Sequence, residues 1–270
     1  LLHNELEIYK CALDHNQLEI FQWLFQNERM KLTQQVELFQ YALGKSYSLV
    51  IAQWIYSQIF QEEFSKYLNV KETLGWICEQ NHPDIFDWVL SIIPKIDSES
   101  YSNAFMIACY NGHLELAQKI YLLGEVDLYY RHTGCFRFTI SSGYLEIAKW
   151  IYSLGDINVN DTVNSLTYPQ LYPEMETALH LTIEYGKWET AEVKDNCIEF
   201  SIYDNTDILK NKLDCVQWLI SVGVIVQKCD FDFALSSGYL EVAKILLDHV
   251  VDLDELDGLA GSFADSLSNQ

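Results

Sequence analysis

The chain has 270 residues, of which 49% are hydrophobic, and its 17 Lys and Arg against 39 Asp and Glu give a formal net charge of −22. The apolar content is enough for a sizeable core. The negative charge repels nucleic-acid phosphates and anionic membrane surfaces, so we expect neither as a partner. No apolar run is long enough to span a bilayer and the first residues lack a signal-peptide pattern, which favours an intracellular, cytoplasmic location.

Sequence motifs give no support for catalysis. The seven cysteines are scattered without a Cys-x-x-Cys pair, which favours buried apolar residues over a disulfide framework or a zinc site. The sequence holds no nucleophile elbow, phosphate-binding loop or His-Glu-x-x-His motif. We interpret His113, in "HLE", as a turn residue and not as a deaminase-type ligand. We therefore predict a non-enzymatic protein without metal, cofactor or small-molecule substrate.

Fourteen-residue segments recur along the chain: "NGHLELAQKIYLLG" (Asn111–Gly124), "SGYLEIAKWIYSLG" (Ser142–Gly155) and "SGYLEVAKILLDHV" (Ser237–Val250). Weaker copies extend the pattern, and each copy has Gly or Asn in the column of the second residue. In chain order these anchor residues are Asn16, Asn81, Gly112, Gly143, Gly186, Asn211 and Gly238. Because Gly and Asn best tolerate a left-handed backbone, we predict that each anchor is the pivot of a turn between two helices.

Each anchor is followed by the pattern of an amphipathic helix. An acidic residue stands three positions later, where it suits a first helical turn, and apolar residues fall four, five, eight and nine positions later. A shorter apolar stretch before the anchor predicts a first helix, so each copy is a helix-turn-helix. A further copy places Tyr47 in the anchor column, with Gly44 as the alternative turn residue.

The spacing of the copies averages about 32 residues, within the range of stacked helical repeats. We predict an all-α fold in which residues 1–270 form a single array of about eight hairpins. Residues 251–270 are interpreted either as a partial ninth repeat or as a cap.

Five tryptophans, Trp23, Trp54, Trp88, Trp150 and Trp218, share the column seven positions after the anchor, including the Tyr47 copy. They could form an aromatic platform for a ligand. The repeat period favours stacking instead, since binding sites seldom recur with the period of the core. We expect Trp54, Trp88 and Trp150 to touch the second helix of an adjacent repeat.

The segments "NGHLELA", "SGYLEIA" and "SGYLEVA", with "ETALHLTIEYG" at Glu176–Gly186, resemble ankyrin repeats, and "AQWIYS" and "AKWIYSLG" are most similar to ankyrin-repeat paralogues of giant DNA viruses. The resemblance implies an ankyrin-type solenoid with irregular inter-repeat loops, in which His180 bonds the backbone of an adjacent loop. It also implies a scaffold that binds a protein partner through loops and a concave face. If the chain is viral, the expected location is the host cytoplasm or a virion. Two alternatives stay open: a substrate-recruiting module of a ubiquitin ligase or other enzyme whose active segment lies elsewhere, and a structural virion component.

The candidate partner-binding residues lie where the repeats differ. The interval from Gly155 to Gly186 is 31 residues, 12 longer than that from Gly124 to Gly143, and contains Tyr168, Pro169 and Tyr172. A second group, Tyr129, Tyr130 and Arg131, occupies the preceding inter-repeat loop. Tyrosine combines contact area with a polar tip, although a tolerated loop insertion explains the extra length equally well. The acidic charge favours a partner with a basic surface.

Deleting Tyr168–Tyr172 should weaken partner binding while leaving the helices folded, because an exposed loop contributes little to repeat stacking. Circular dichroism and titration with the partner test this expectation. Full retention of affinity would contradict the recognition role, and lost helicity would assign the segment to packing.

Overall fold

A computed structural model describes residues 3–27, 30–44, 48–59, 64, 66–93, 95–130, 134–155, 157–160, 177–184, 191–194, 197–200 and 206–249. Within these residues the fold is almost entirely helical, and the helices pack in neighbouring pairs. The chain divides into two compact units: Leu1–Ala108 with His113–Tyr130, and Cys109–Gly112 with Arg131–Gln270. No described helix is both long and apolar enough to cross a lipid bilayer.

The first unit consists of consecutive helix pairs. Its helices are α1 (His3–Asp14), α2 (Leu18–Asn27), α3 (Leu32–Gly44), α4 (Leu49–Gln58), α5 (Val70–Glu79), α6 (Pro83–Ile92), α7 (Ser98–Tyr110) and α8 (Leu114–Leu122), the last two residues of α7 falling in the second unit. The first helices of successive pairs, α1, α3 and α5, pack against one another in order.

The second unit adds a short β-hairpin to its helix pairs. Its elements are α9 (Gly134–Ser141), α10 (Leu145–Leu154), α11 (Ala178–Glu184), β1 (Ala191–Lys194), β2 (Cys197–Phe200), α12 (Thr206–Ser221), α13 (Lys228–Ser236) and α14 (Leu240–Leu247). The strands are antiparallel, with Ala191 opposite Phe200 and Lys194 opposite Cys197. Helix α11 packs against α9 and α13, while α12 packs against α10 and α14.

The turn inside a helix pair has one backbone structure that recurs along the chain. The anchor residues with positive φ are Asn16 (51°), Asn81 (56°), Gly112 (80°), Gly143 (84°) and Gly238 (79°). At Gly112 the N–H donates to the carbonyl of Cys109 at 3.1 Å, and the N–H of His113 donates to that of Ala108 at 2.9 Å. The same two bonds close the other four turns. This Schellman arrangement pairs carbonyls that the end of the first helix would otherwise leave unpaired.

The two helices of a pair bury the apolar face that the spacing predicts. In α8 and α10 the residues four, five and eight positions after the anchor are at most 3% exposed; they are Leu116, Ala117, Ile120, Ile147, Ala148 and Ile151. The first helices contribute a buried residue seven positions before the anchor, such as Phe105, Phe136 and Phe231. Burial of a side chain of this size contributes about 1.5–3 kcal/mol, so these columns form the core.

The tryptophan column joins one helix pair to the next. Three rings meet an aromatic ring on the second helix of the preceding pair, edge to face: Phe25–Trp54 (5.2 Å, 82°), Tyr56–Trp88 (5.9 Å, 87°) and Tyr152–Trp218 (5.4 Å, 89°). Such a ring pair contributes about 0.5–1.5 kcal/mol beyond its buried area. The predicted stacking is therefore confirmed for Trp54 and Trp88, while Trp150 is half-buried.

In several second helices a serine in the last turn follows the tryptophan of the column by three residues. Each hydroxyl donates at 2.6 Å to the carbonyl of the tryptophan three residues earlier, in Ser57, Ser91, Ser153 and Ser221. This is a local serine-to-backbone bond, and at Trp218 the carbonyl also accepts the backbone N–H of Val222 at 3.1 Å. The Trp-x-x-Ser pattern is thus a helix-end signal that the sequence analysis did not use.

One predicted anchor is wrong, and another is not described by the structure. Asn211 is an exposed residue inside α12, so the turn predicted there is wrong. Gly186 lies outside the described residues, and β1 follows where a second helix was predicted. Helices α11 and α12 pack together as one pair, with the β-hairpin between them in sequence. The contact of Trp218 with Tyr152 agrees with this pairing, because α10 is then the preceding second helix.

The physical reason is the weakness of the turn signal at Asn211. It stands between two lysines, without a nearby Gly or Pro to end a helix. Asparagine costs under about 0.7 kcal/mol relative to Ala inside a helix, and continuing the helix keeps every backbone hydrogen bond. The predicted copies at Gly186 and Asn211 therefore merge into a single interrupted repeat.

The substitution Gly112→Ala should destabilise the protein more than Gly124→Ala. Both glycines have φ of 80°, so a Cβ costs about 1 kcal/mol at either site. At Gly112 the added atom would also fall 2.4 Å from Cε1 of Tyr144, whereas at Gly124 it would meet nothing within 4 Å. Urea unfolding followed by circular dichroism should show the larger loss for Gly112→Ala; equal losses would contradict the crowding.

Candidate protein-interaction groove

The structure describes two of the predicted partner-binding residues. Tyr129 and Tyr130 follow α8, and Tyr129 is 52% exposed while Tyr130 is half-buried. Arg131, Tyr168, Pro169 and Tyr172 lie outside the described residues. Their part in recognition stays a prediction.

Tyr130 belongs to a small ionic cluster. The Nζ of Lys71, on α5, bonds to Oε1 of Glu99 in the first turn of α7. The hydroxyl of Tyr130 lies 3.5 Å from the same oxygen, and the Lys71 ammonium lies 5.7 Å from the centre of the Tyr130 ring, within cation–π range. These three residues, here called the Lys71 cluster, link α5 to the pair formed by α7 and α8.

The cluster holds its charges at neutral pH. The hydrogen bond with Glu99 raises the pKa of Lys71, and the bond from Lys71 lowers the pKa of Glu99. Nearby, the backbone N–H of Ser100 lowers the pKa of Asp97, whose Oδ1 accepts that bond at 2.7 Å. The Glu99 side chain is 61% exposed and that of Lys71 35%, so solvent screens the ion pair and it adds little to stability.

A groove of about 440 Å³ adjoins this cluster. It is lined by residues of α5 and α7 together with Asn69, which precedes α5: Asn69, Lys71, Glu72, Gly75, Trp76, Glu79, Asn103 and Ile107. Lys71 therefore belongs both to the groove and to the cluster that contains Tyr130.

Two glycines set the walls of the groove. A Cβ on Gly44, the buried last residue of α3, would fall 2.5 Å from Cε3 of Trp76. Gly44 has no positive φ, so it is not the left-handed turn residue that the sequence offered as an alternative to Tyr47. Its missing side chain instead lets Trp76 approach. Tyr47 lies outside the described residues. Gly75 similarly lets Ile107 approach, since an added Cβ would lie 2.9 Å from its Cδ1.

The end of α5 is fastened to the next helix pair by His113. Its Nε2 lies 3.0 Å from the carbonyl oxygen of Glu79, a lining residue of the groove. His113 follows the anchor Gly112 and directly precedes α8. His113 is therefore a turn residue of one helix pair that also bonds to the backbone of the preceding pair.

The lining offers several kinds of contact to a ligand. Trp76 and Ile107 supply half-buried apolar surface, and Asn103 supplies an amide. Lys71 is cationic, whereas Glu72 and Glu79 are anionic. An apolar wall with a few placed polar groups is typical of recognition sites for peptides and protein surfaces.

The sequence analysis missed the main residues of this groove. Lys71 and Glu99 are ordinary charged residues in the sequence, and their pairing bridges 28 positions. Trp76 did leave a signal, because it is one of two tryptophans outside the periodic column. A tryptophan that breaks the period marks a position outside the periodic stacking.

Comparisons with known proteins assign no family to the chain. No family model matches it, and no curated protein matches its sequence. The resemblance to ankyrin repeats therefore depends on the quoted motifs.

Gly44→Ala should destabilise the protein more than Gly75→Ala. In the first variant the ring and Cβ of Trp76 must move, since all the close atoms belong to that side chain. In the second, the nearest atom is the flexible end of Ile107, and the better helix propensity of Ala offsets the crowding by up to about 1 kcal/mol. Thermal unfolding with tryptophan fluorescence tests this order, and a greater loss for Gly75→Ala would refute it.

Proposed function

We propose that this protein is a non-enzymatic, ankyrin-type scaffold that binds a protein partner through the groove between α5 and α7. The observation that carries the proposal is the juxtaposition of this groove with the Lys71 cluster. Apolar, amide and ionic groups converge there on rigid helices, which supports recognition of a peptide or a protein surface.

Two groove residues occupy positions at which the residue type changes between repeats. Lys71 stands ten positions before its anchor, where the next repeat has Ser102. Glu72 stands nine positions before, where the next repeat has Asn103. Stacked repeats bind through such variable positions, because the constant ones are used in packing.

The two tyrosines that follow α8 would add short-range contact. Tyr130 is fixed by the Lys71 cluster, and the backbone N–H of Tyr129 donates to Oδ1 of Asp127 at 2.9 Å. The Tyr129 ring is exposed although its backbone is held. An exposed tyrosine on a fixed backbone loses little entropy on binding, which favours a recognition role.

The charge distribution favours a basic partner. The acidic residues three positions after the anchors are exposed throughout the described repeats: Glu19, Asp84, Glu115, Glu146, Asp214 and Glu241. With a net charge of −22, they would steer a cationic surface toward the scaffold, and association would slow as salt screens this attraction. Glu72 and Glu79 would then contact its basic side chains in the groove.

Comparison of Lys71→Ala with Lys119→Ala tests the proposal. Each variant removes one positive charge and one ion pair between repeats. Lys71 pairs with Glu99 and Lys119 with Asp87, and the two lysine side chains are 35% and 40% exposed. Lys119 does not line the groove. The partner is first identified by affinity capture with the unmodified chain, and its affinity for each variant is then measured by titration.

Lys71→Ala and Tyr129→Ala should each weaken binding by about tenfold, as hot-spot residues do, whereas Lys119→Ala should leave the affinity nearly unchanged. Equal losses for both lysine variants would assign binding to general charge. Unchanged affinity in Lys71→Ala and Tyr129→Ala would remove the groove from the interface.

A further inference from the structure

We propose that His180, Cys229 and Asp230 form a binding site for a transition-metal ion of the zinc type in the second unit. One ligand atom from each residue lies within 4.8 Å of the other two. Among the described residues this is the one group of three or more His, Cys, Asp or Glu that meets this distance. The site goes beyond the scaffold function and does not depend on it.

The three residues come from successive helix pairs. His180 belongs to α11, the first helix of one pair, while Cys229 and Asp230 lie in the first turn of α13, the first helix of the next. The Nδ1 of His180 lies 3.2 Å from Oδ1 of Asp230, and the expected bond of His180 to the backbone of an adjacent loop stays a prediction. A bound ion would therefore cross-link the two pairs.

The spacing suits tetrahedral coordination. Zinc holds imidazole nitrogen at about 2.0–2.1 Å and carboxylate oxygen at about 2.0–2.2 Å, which separates these two ligand atoms by about 3.3 Å. The Nδ1 of His180 and Oδ1 of Asp230 are already 3.2 Å apart. Metal binding would replace the proton shared by this pair, and the thiol of Cys229 would close the third position after losing its own proton.

Surrounding groups orient the ligands. The backbone N–H of Gln227 donates to Oδ2 of Asp230 at 2.9 Å, which leaves Oδ1 directed at His180. Asp230 is only 1% exposed. The ring of Phe233 lies 5.4 Å from that of His180 and limits its rotation. In metal sites the ligating carboxylates and imidazoles are typically held in place by such surrounding groups.

The donor set selects the class of metal. An imidazole nitrogen and a thiolate favour zinc, cobalt or copper over calcium and magnesium, which prefer oxygen ligands. Cys229 is exposed, so an ion can reach it from solution. Its Sγ lies 3.5 Å from Oε1 of Gln227, a weak contact that coordination can replace.

Titration of the full chain with cobalt(II) chloride tests the site. Cobalt(II) reports a thiolate ligand by an ultraviolet charge-transfer band and tetrahedral geometry by visible absorption. We expect both signals in the unmodified chain, their loss on addition of zinc chloride, and loss of the charge-transfer band in Cys229→Ser. His180→Ala should weaken cobalt binding by at least about tenfold.

Cys11→Ser is the matched control. The Sγ of Cys11 lies 3.8 Å from Nδ1 of His15, so this pair offers the same two donor types, but it belongs to no group of three in the described residues. The control should keep the full cobalt spectrum. Circular dichroism establishes that each variant is folded.

A second measurement is thermal unfolding with and without zinc chloride. The ion should raise the unfolding temperature of the unmodified chain and of Cys11→Ser, because it binds only the folded site, but not that of Cys229→Ser. Absence of a charge-transfer band in the unmodified chain, its persistence in Cys229→Ser, or its loss in Cys11→Ser would each overturn the proposal.

Discussion

The left-handed residue in the turn of a helix pair is the constraint on which the other regularities depend. With positive φ at a residue such as Gly112, the next N–H reaches back to the first helix, and α8 begins two residues after the anchor. In α6, α8 and α10 the residues four, five and eight positions later are buried. The residue seven positions later contacts the preceding pair in α6 and α8, where it is Trp88 and Lys119.

The edge-to-face ring pairs join the second helices of successive pairs. Trp88, seven positions after the left-handed Asn81, meets Tyr56 on α4. The same relation holds between Tyr152 and Trp218, although α12 has no turn at Asn211. There the buried face of α12, which includes Val216 and Leu219, keeps the register without the turn. Helix packing therefore preserves the repeat where its usual start is lost.

The sequence allowed prediction of what is local and periodic. The turns at Asn16 and Gly143 need a left-handed backbone, and this need restricts the residue type at a single position. Asn211 satisfies the same residue preference without the turn, because an asparagine alone does not end a helix. The β-hairpin between α11 and α12 was missed because its residues were aligned to a helical repeat.

The candidate sites could not be predicted in the same way, since their partners are far apart in sequence. Lys71 and Glu99 are separated by 28 positions, and His180 and Asp230 by 50. Repeat spacing indicates which positions share a face, but the choice of side chain at a free position follows no period. Trp76 was visible only as a departure from the tryptophan column.

The acidic residues have two physical roles that the net charge alone does not separate. A carboxylate such as Glu115 stands in the first turn of a second helix, where free backbone N–H groups stabilise it. The same carboxylate is exposed and adds to the field around the protein. Part of the negative charge is therefore explained by helix stability before any partner is considered. The more specific signal for recognition is Lys71, a cation held beside Tyr130 at the edge of a groove, since the repeat does not require a positive charge there.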